Sequence, residues 1–212
     1  MIQTLAEKTA KYLAKKDENA DVEILTYGYY LIYQLWLVNI ALLLIALPLR
    51  LFFQVLAALI TFAIMRGPTV GAHANHPLIC KLVTFLVVFI PSILGVLLAD
   101  RIFAFEFTPL IVVILYIFAL MLVIKYAPAD TDVTKIECKD KQKQMKIKSI
   151  LWLTTLFILA LVVHFWIASI AFVIIITSVI ACCFVHPWAY LLFGFDPLTR
   201  EIRRGVKTSS SQ

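Results

Sequence analysis

Residues 149–195 read SILWLTTLFILALVVHFWIASIAFVIIITSVIACCFVHPWAYLLFGF, and no Asp, Glu, Lys or Arg interrupts them. A helix that crosses a bilayer needs roughly 20 mostly apolar residues. This run is long enough for two. Its apolar residues are continuous, whereas a membrane β-strand alternates them with polar ones. The stretch therefore reads as paired membrane helices.

The same pattern recurs toward the N-terminus. Ile24–Leu49, Leu82–Ala99 and Phe107–Ile124 also carry no charge. Leu51–Met65 is shorter, but it gains residues 46–49 if the Arg50 side chain snorkels to the interface. Hydrophobic residues make up 62% of the 212, and the mean hydropathy is +0.94. Soluble domains run at about 45–50% apolar. A chain of this length cannot hide that much apolar surface in its own core, so lipid is part of its solvent. The expected fold is all-α: a polytopic transmembrane helical bundle of about six spans. They fall at 24–47, 48–65, 79–99, 106–125, 149–167 and 169–192, in a membrane domain covering 23–194.

Six spans put both termini on one side. On that reading Arg50 and Arg101 are the only basic residues on the opposite side, out of nineteen Lys and Arg. The others sit in the N-terminal segment 1–22, the connection 66–81, the basic loop 126–148 with its neighbour Lys125, and the tail 195–212. Loops rich in Lys and Arg stay in the cytoplasm, so both termini are expected to be cytoplasmic. The formal net charge of +6 then reflects orientation and attraction to anionic lipid heads, and no nucleic acid is needed to explain it. The N-terminal segment places Ile2, Leu5, Thr9, Tyr12 and Leu13 near one helical face, ringed by Lys8, Lys11, Lys15 and Lys16. Such a helix suits the membrane surface; a solvated tail that stops the first span explains it equally well.

The chemistry-bearing segment is Arg66–Cys80, RGPTVGAHANHPLIC. Two prolines and two glycines break helix there. Irregular backbone at a membrane boundary is tolerated only against protein or a water-lined cavity. Pro77 suits the first position of a helix, which would set Cys80 in its first turn. Free N–H groups and the positive helix end favour a thiolate there. His73 precedes Cys80 by one loop, and Gly71 gives that loop freedom to fold back. An imidazole can take the thiol proton and later protonate a leaving amine. A competing reading makes His73, His76 and Cys80 a three-ligand zinc site, although no acidic residue lies nearby. Cys138 reads as solvated loop, and Cys182 and Cys183 as small buried hydrophobes. His164 and His186 read as residues of helix ends.

These residues carry a resemblance. Arg66, Val70-Gly71, Ala72, His73-Ala74 and a Cys seven residues after the His resemble the accessory gene regulator B (AgrB) family, bacterial membrane endopeptidases that process quorum-sensing peptide precursors. The commoner family pattern has two glycines where this chain has Val70-Gly71. A second stretch, Lys125-Tyr126-Ala127-Pro128-Ala129-Asp130-Thr131, resembles the family's Ala-Pro-x-Asp-Thr segment before a basic loop. The likeness in length, spans and order covers nearly the whole chain.

The resemblance implies a thiol protease, a cysteine-type endopeptidase of quorum sensing, with Cys80 as nucleophile and His73 as base and then acid. The substrate would be an AgrD-like precursor, cleaved in its C-terminal part and closed into a cyclic thiolactone or lactone. Arg66 and Gly71 match family positions important for activity, and Asp130 in the second stretch would orient His73 or line the substrate groove. Arg66 equally fits a positive-inside anchor, and Pro128 with Asp130 a helix stop and cap. The family implies a homodimer among membrane lipids, with no cofactor and no metal. Two other readings stay open: a transporter of peptides or small solutes without thiol chemistry, and a non-catalytic scaffold.

Overall fold

The computed structural model describes residues 2–14, 21–70, 77–128 and 139–192. All regular structure among them is helical, as expected. Eight helices follow in order: α1 (Ile2–Ala14), α2 (Val22–Ala46), α3 (Phe52–Thr69), α4 (Pro77–Phe103), α5 (Thr108–Tyr126), α6 (Lys139–Val163), α7 (Ala168–Cys183) and α8 (Pro187–Leu192). Five of them, α2 to α6, are long and apolar enough to cross a membrane. The chain is an α-helical multi-pass membrane protein. It divides into two compact units, residues 1–52 and 53–212.

In the first unit α1 packs along α2. The small side chains of Ala6 and Ala10 are fully buried, and the Thr9 hydroxyl bonds the Tyr33 hydroxyl at 2.9 Å. Leu5 and Tyr12, from the face expected to be apolar, stay exposed. Asp21 caps α2, its carboxylate accepting from the Glu23 and Ile24 N–H groups. At the far end the Leu51 N–H bonds Ala46 O and the Arg50 N–H bonds Leu47 O. That pairing is a Schellman stop with Arg50 in the left-handed region, at φ 57°.

The second unit holds α3 to α8, and its contacts define two ends. One end holds the last turns of α3, α5 and α7. Arg66 touches Phe184 there, and Tyr126 touches His186. At the other end Gln54 of α3 bonds Ser169 of α7, and Phe103 of α4 stacks on His164 after α6. Between them α5 and α6 are tied by the Tyr116 and Thr154 hydroxyls at 2.9 Å. The core runs through Met65, Val123, Leu153, Phe157, Ile174 and Cys182. Helix α4 approaches α7 closely at Gly95. A Cβ on Gly95 would meet Ser169 O and Val173 Cγ2, each at 2.9 Å. Large side chains such as Leu97 and Ile114 are exposed along the helices, and lipid would cover them.

Three boundaries differ from the sequence reading. An irregular stretch is expected from Arg66, but α3 runs on through Gly67 and Pro68 to Thr69. A proline in the last turn removes one backbone donor. The turn stays closed because the Thr69 hydroxyl bonds Met65 O at 2.6 Å and the Val70 N–H bonds Arg66 O at 3.1 Å. The last expected span, 169–192, is broken into a 16-residue α7 and a short α8. His186 precedes Pro187, which disfavours helical backbone at 186 and then serves as the first residue of α8. The basic segment expected as loop up to Lys148 is helical from Lys139. Lys and Gln are good helix formers, so α6 begins ten residues before its apolar part.

Candidate functional site

Cys80 lies in the first turn of α4, where the backbone N–H groups have no partner within the helix. The thiol is free and half-buried. Its carbonyl accepts from the Thr84 hydroxyl at 2.9 Å, which braces the turn above it.

Arg66 comes to this end from α3. Its guanidinium lies 5.8 Å from the Phe62 ring centre and 5.5 Å from that of Phe184. The two rings meet edge to face at 6.1 Å. Guanidinium groups bind aromatic faces well because they are planar and weakly hydrated. One nitrogen, Nη1, is buried. The cation sits within electrostatic reach of the Cys80 thiol and of the Tyr190 hydroxyl on α8. Neighbouring aromatics close the corner. Tyr126 meets His186 edge to face at 4.8 Å, and the Trp188 N–H donates to His186 Nδ1 at 3.2 Å. That last bond caps α8.

Val70 closes α3 at φ 60°. This left-handed conformation is costly for a β-branched residue and natural for glycine. The geometry explains why glycine would be at home at position 70.

Of the expected site residues, Cys80 and Arg66 are brought together. Gly71, His73 and Asp130 lie outside the described residues, as do His76 and Cys138. Among the described residues no group of three or more His, Cys, Asp or Glu side chains could hold a metal ion. Cys182 is buried in the core, and Cys183 is exposed. Phe62, Phe184 and Tyr190 escaped the sequence reading. Phe62 could have been found from its i,i+4 spacing to Arg66 on one helix; nothing local marks Phe184 and Tyr190, which lie far along the chain.

The opposite end has a different character. His164 stacks on Phe103 at 4.2 Å and on Phe165 at 5.5 Å. Its buried Nδ1 has no hydrogen-bond partner among the described residues. Beside it an apolar cavity of about 540 Å³ is lined by residues including Phe103, Val112, Phe172 and Ile175.

These features define a class: a multi-pass helical membrane protein with a free thiol at a helix start and an arginine that rests on aromatic rings. The family model for accessory gene regulator B matches residues 6–186. An AgrB-like protein 2 from Clostridium perfringens (strain 13 / Type A) is 31% identical over 153 residues, covering 71% of this chain and 69% of its own. An AgrB-like protein from Clostridium perfringens (strain SM101 / Type A) is 29% identical over 159 residues, covering 73% of each. The chain belongs to the accessory gene regulator B family, and so to the agr quorum-sensing system. No solved structure matches it significantly.

Proposed function

We propose that this protein is a membrane-embedded cysteine endopeptidase that matures an AgrD-like autoinducer precursor. The observation that carries the reading is Cys80 in the first turn of α4, with the Arg66 cation in reach. The Cys80 sulfur would be the nucleophile. Family membership supports the choice of substrate.

The Cys80 sulfur attacks a peptide carbonyl in the C-terminal part of the precursor. His73 takes the thiol proton and passes it to the departing amine. The C–N bond breaks as a thioester to Cys80 forms. A Cys or Ser side chain within the precursor then attacks that thioester. Its proton travels through His73 to the Cys80 sulfur, and the product closes as a thiolactone or lactone. Acyl transfer must outrun hydrolysis, so the acceptor has to be held close and water kept away. A site at a membrane edge serves both needs. Gly71 shapes the loop carrying His73, and Asp130 orients His73 or lines the substrate groove.

The helix ends of the second unit sort charge in a way that supports a cytoplasmic site. Arg66, Lys81, Lys125 and the lysines of α6 between 139 and 148 belong to the Cys80 end, and Arg101 to the other. Both termini are then cytoplasmic, and the protein works as a homodimer in the bacterial cytoplasmic membrane.

The test is cleavage of a candidate precursor in liposomes by wild type, Cys80→Ala and His73→Ala. Release of a C-terminal fragment by wild type alone upholds the reading. Normal cleavage by Cys80→Ala would end the thiol mechanism and bring the transporter reading forward.

A further inference from the structure

We propose that the apolar cavity between α5 and α7, at the end away from Cys80, is a phospholipid site. One acyl chain fills the cavity, and the lipid phosphate pairs with Arg101 at its mouth. The site stands independently of the peptidase reading.

The cavity holds about 540 Å³. Protein interiors keep few voids larger than a water molecule, so a space of this size has an occupant in the bilayer. The walls decide which one. Phe103, Val112, Leu115, Phe172 and Ile175 present carbon to it. Thr108 lines it too, but its hydroxyl turns back to the Ile102 carbonyl, so no polar group faces the space. Buried water needs polar partners and finds none there. A peptide loop would bring backbone N–H and C=O groups that such walls cannot satisfy. A helix satisfies its own, but a piece about 10 Å long and about 10 Å wide takes roughly 800 Å³. A hydrocarbon chain has no polar atom to satisfy and is thin enough to enter. The wall is also held in place, since the Phe103 ring rests on the His164 ring at 4.2 Å.

Depth and charge agree with this occupant. The lining face of α5 runs from Thr108 to Leu115, about 10 Å along the helix. One leaflet offers about 15 Å of hydrocarbon, so the cavity lies within a single leaflet. Its mouth is the turn between α4 and α5, where Phe105 and Phe107 line it and are exposed. That turn also carries Asp100, Arg101 and Glu106, all exposed. Arg101 has no hydrogen bond or ion pair among the described residues. An apolar cavity beneath a charged turn fits an amphipathic ligand. One cation among two carboxylates suits a zwitterionic head better than a net negative one. The phosphate takes Arg101, and an ammonium takes a carboxylate. Phosphatidylethanolamine has that chemistry.

The experiment uses full-length wild type in liposomes that contain phosphatidylethanolamine with a photoreactive diazirine in one acyl chain. Mass spectrometry maps the cross-linked residues. Adducts on the lining residues of α5 and α7 should exceed those on Leu97 and Ile114, which are exposed but lie outside the cavity, by at least about fivefold. Val112→Phe and Ile175→Phe, each filling part of the cavity, should remove the excess. Arg101→Gln should lower it about threefold. A phosphatidylglycerol probe should label the lining residues less than the phosphatidylethanolamine probe. Adducts spread evenly over Leu97, Ile114 and the lining residues would overturn the proposal. So would an excess that survives both filling substitutions. Tm in detergent reports whether those variants fold, and where one does not, the wild-type adduct map decides alone. An excess unchanged in Arg101→Gln would overturn the assignment of the phosphate to Arg101.

Discussion

Each end of the second unit holds a nitrogen-bearing side chain against two aromatic rings, yet the surroundings differ. Arg66 sits with Phe62 and Phe184, His164 with Phe103 and Phe165. Within electrostatic reach of Arg66 are a thiol at a helix start and a tyrosine hydroxyl. Around His164 lie an apolar cavity and exposed aromatics, Phe165 at 83% and Trp166 at 76%. Aromatic rings and amphipathic tips of that kind belong at membrane interfaces. An aromatic clasp on a polar group is therefore packing by itself. It becomes chemistry where a nucleophile shares the space.

The largest effect should come from pressing that contrast. Cys80→Ala is expected to lower precursor cleavage at least about a thousandfold, as loss of a nucleophile does in other proteases. His164→Leu should leave cleavage within about twofold of wild type, because it only replaces one ring partner by another apolar group. Equal losses in the two variants would erase the distinction between the ends. Rates of fragment release in liposomes check both.

The next effect lies where α4 crosses α7, nearer the His164 end. Gly95→Ala would set a methyl against the Ser169 carbonyl, which is backbone and cannot swing aside. Overpacking of this kind costs about 1–3 kcal/mol, and a lower Tm in detergent would show it. Gly67→Ala, beside Arg66, meets nothing within 4 Å and should be neutral or mildly stabilising. The reverse ranking would mean that the tight contacts of this unit lie at the Cys80 end.

A smaller effect is expected from Thr177 in α7. Its hydroxyl is fully buried and has no hydrogen-bond partner among the described residues. Neighbouring Ser178 instead bonds back to Ile174 O at 2.7 Å. Thr177→Val keeps the shape and removes the stranded group, for a gain of about 1 kcal/mol. A clear loss of Tm would show that the hydroxyl is satisfied within the fold, for example by a buried water.

Much of the fold was legible because lipid leaves a strong mark on sequence. Charge-free runs located α2, α4, α5 and the apolar parts of α6 and α7 to within a few residues. The errors were local and had local causes. Pro68 was read as a helix breaker, but a late proline costs a helix only one donor. His186-Pro187 was read as span, but it ends α7. Lysines 139–148 were read as loop because polarity was allowed to outweigh helix propensity. At the site, Pro77 was enough to put Cys80 in the first turn of α4. Phe62 could have been found from its i,i+4 spacing to Arg66, but the other aromatics of that corner could not. Phe184 and Tyr190 are far from Arg66 in sequence, and only the bend after α7 brings them near.

The smallest effect probes that same end from the other side of Arg66. Val70 takes a left-handed conformation immediately after α3. That conformation costs a non-glycine residue about 1–2 kcal/mol. Val70→Gly removes the penalty but gives the unfolded chain more freedom, worth about 0.5–1 kcal/mol in the opposite sense. The first effect is the larger, and β-branching adds to it, so a net gain of about half to one kcal/mol in stability is expected. Cleavage should be kept, since glycine adopts the same φ without strain. A rise in Tm with full cleavage would make Val70 a tolerated cost of this chain. A rise in Tm with slower cleavage would mean that the strained valine stiffens the exit from α3, and that the Cys80 end depends on its rigidity as well as on its charges.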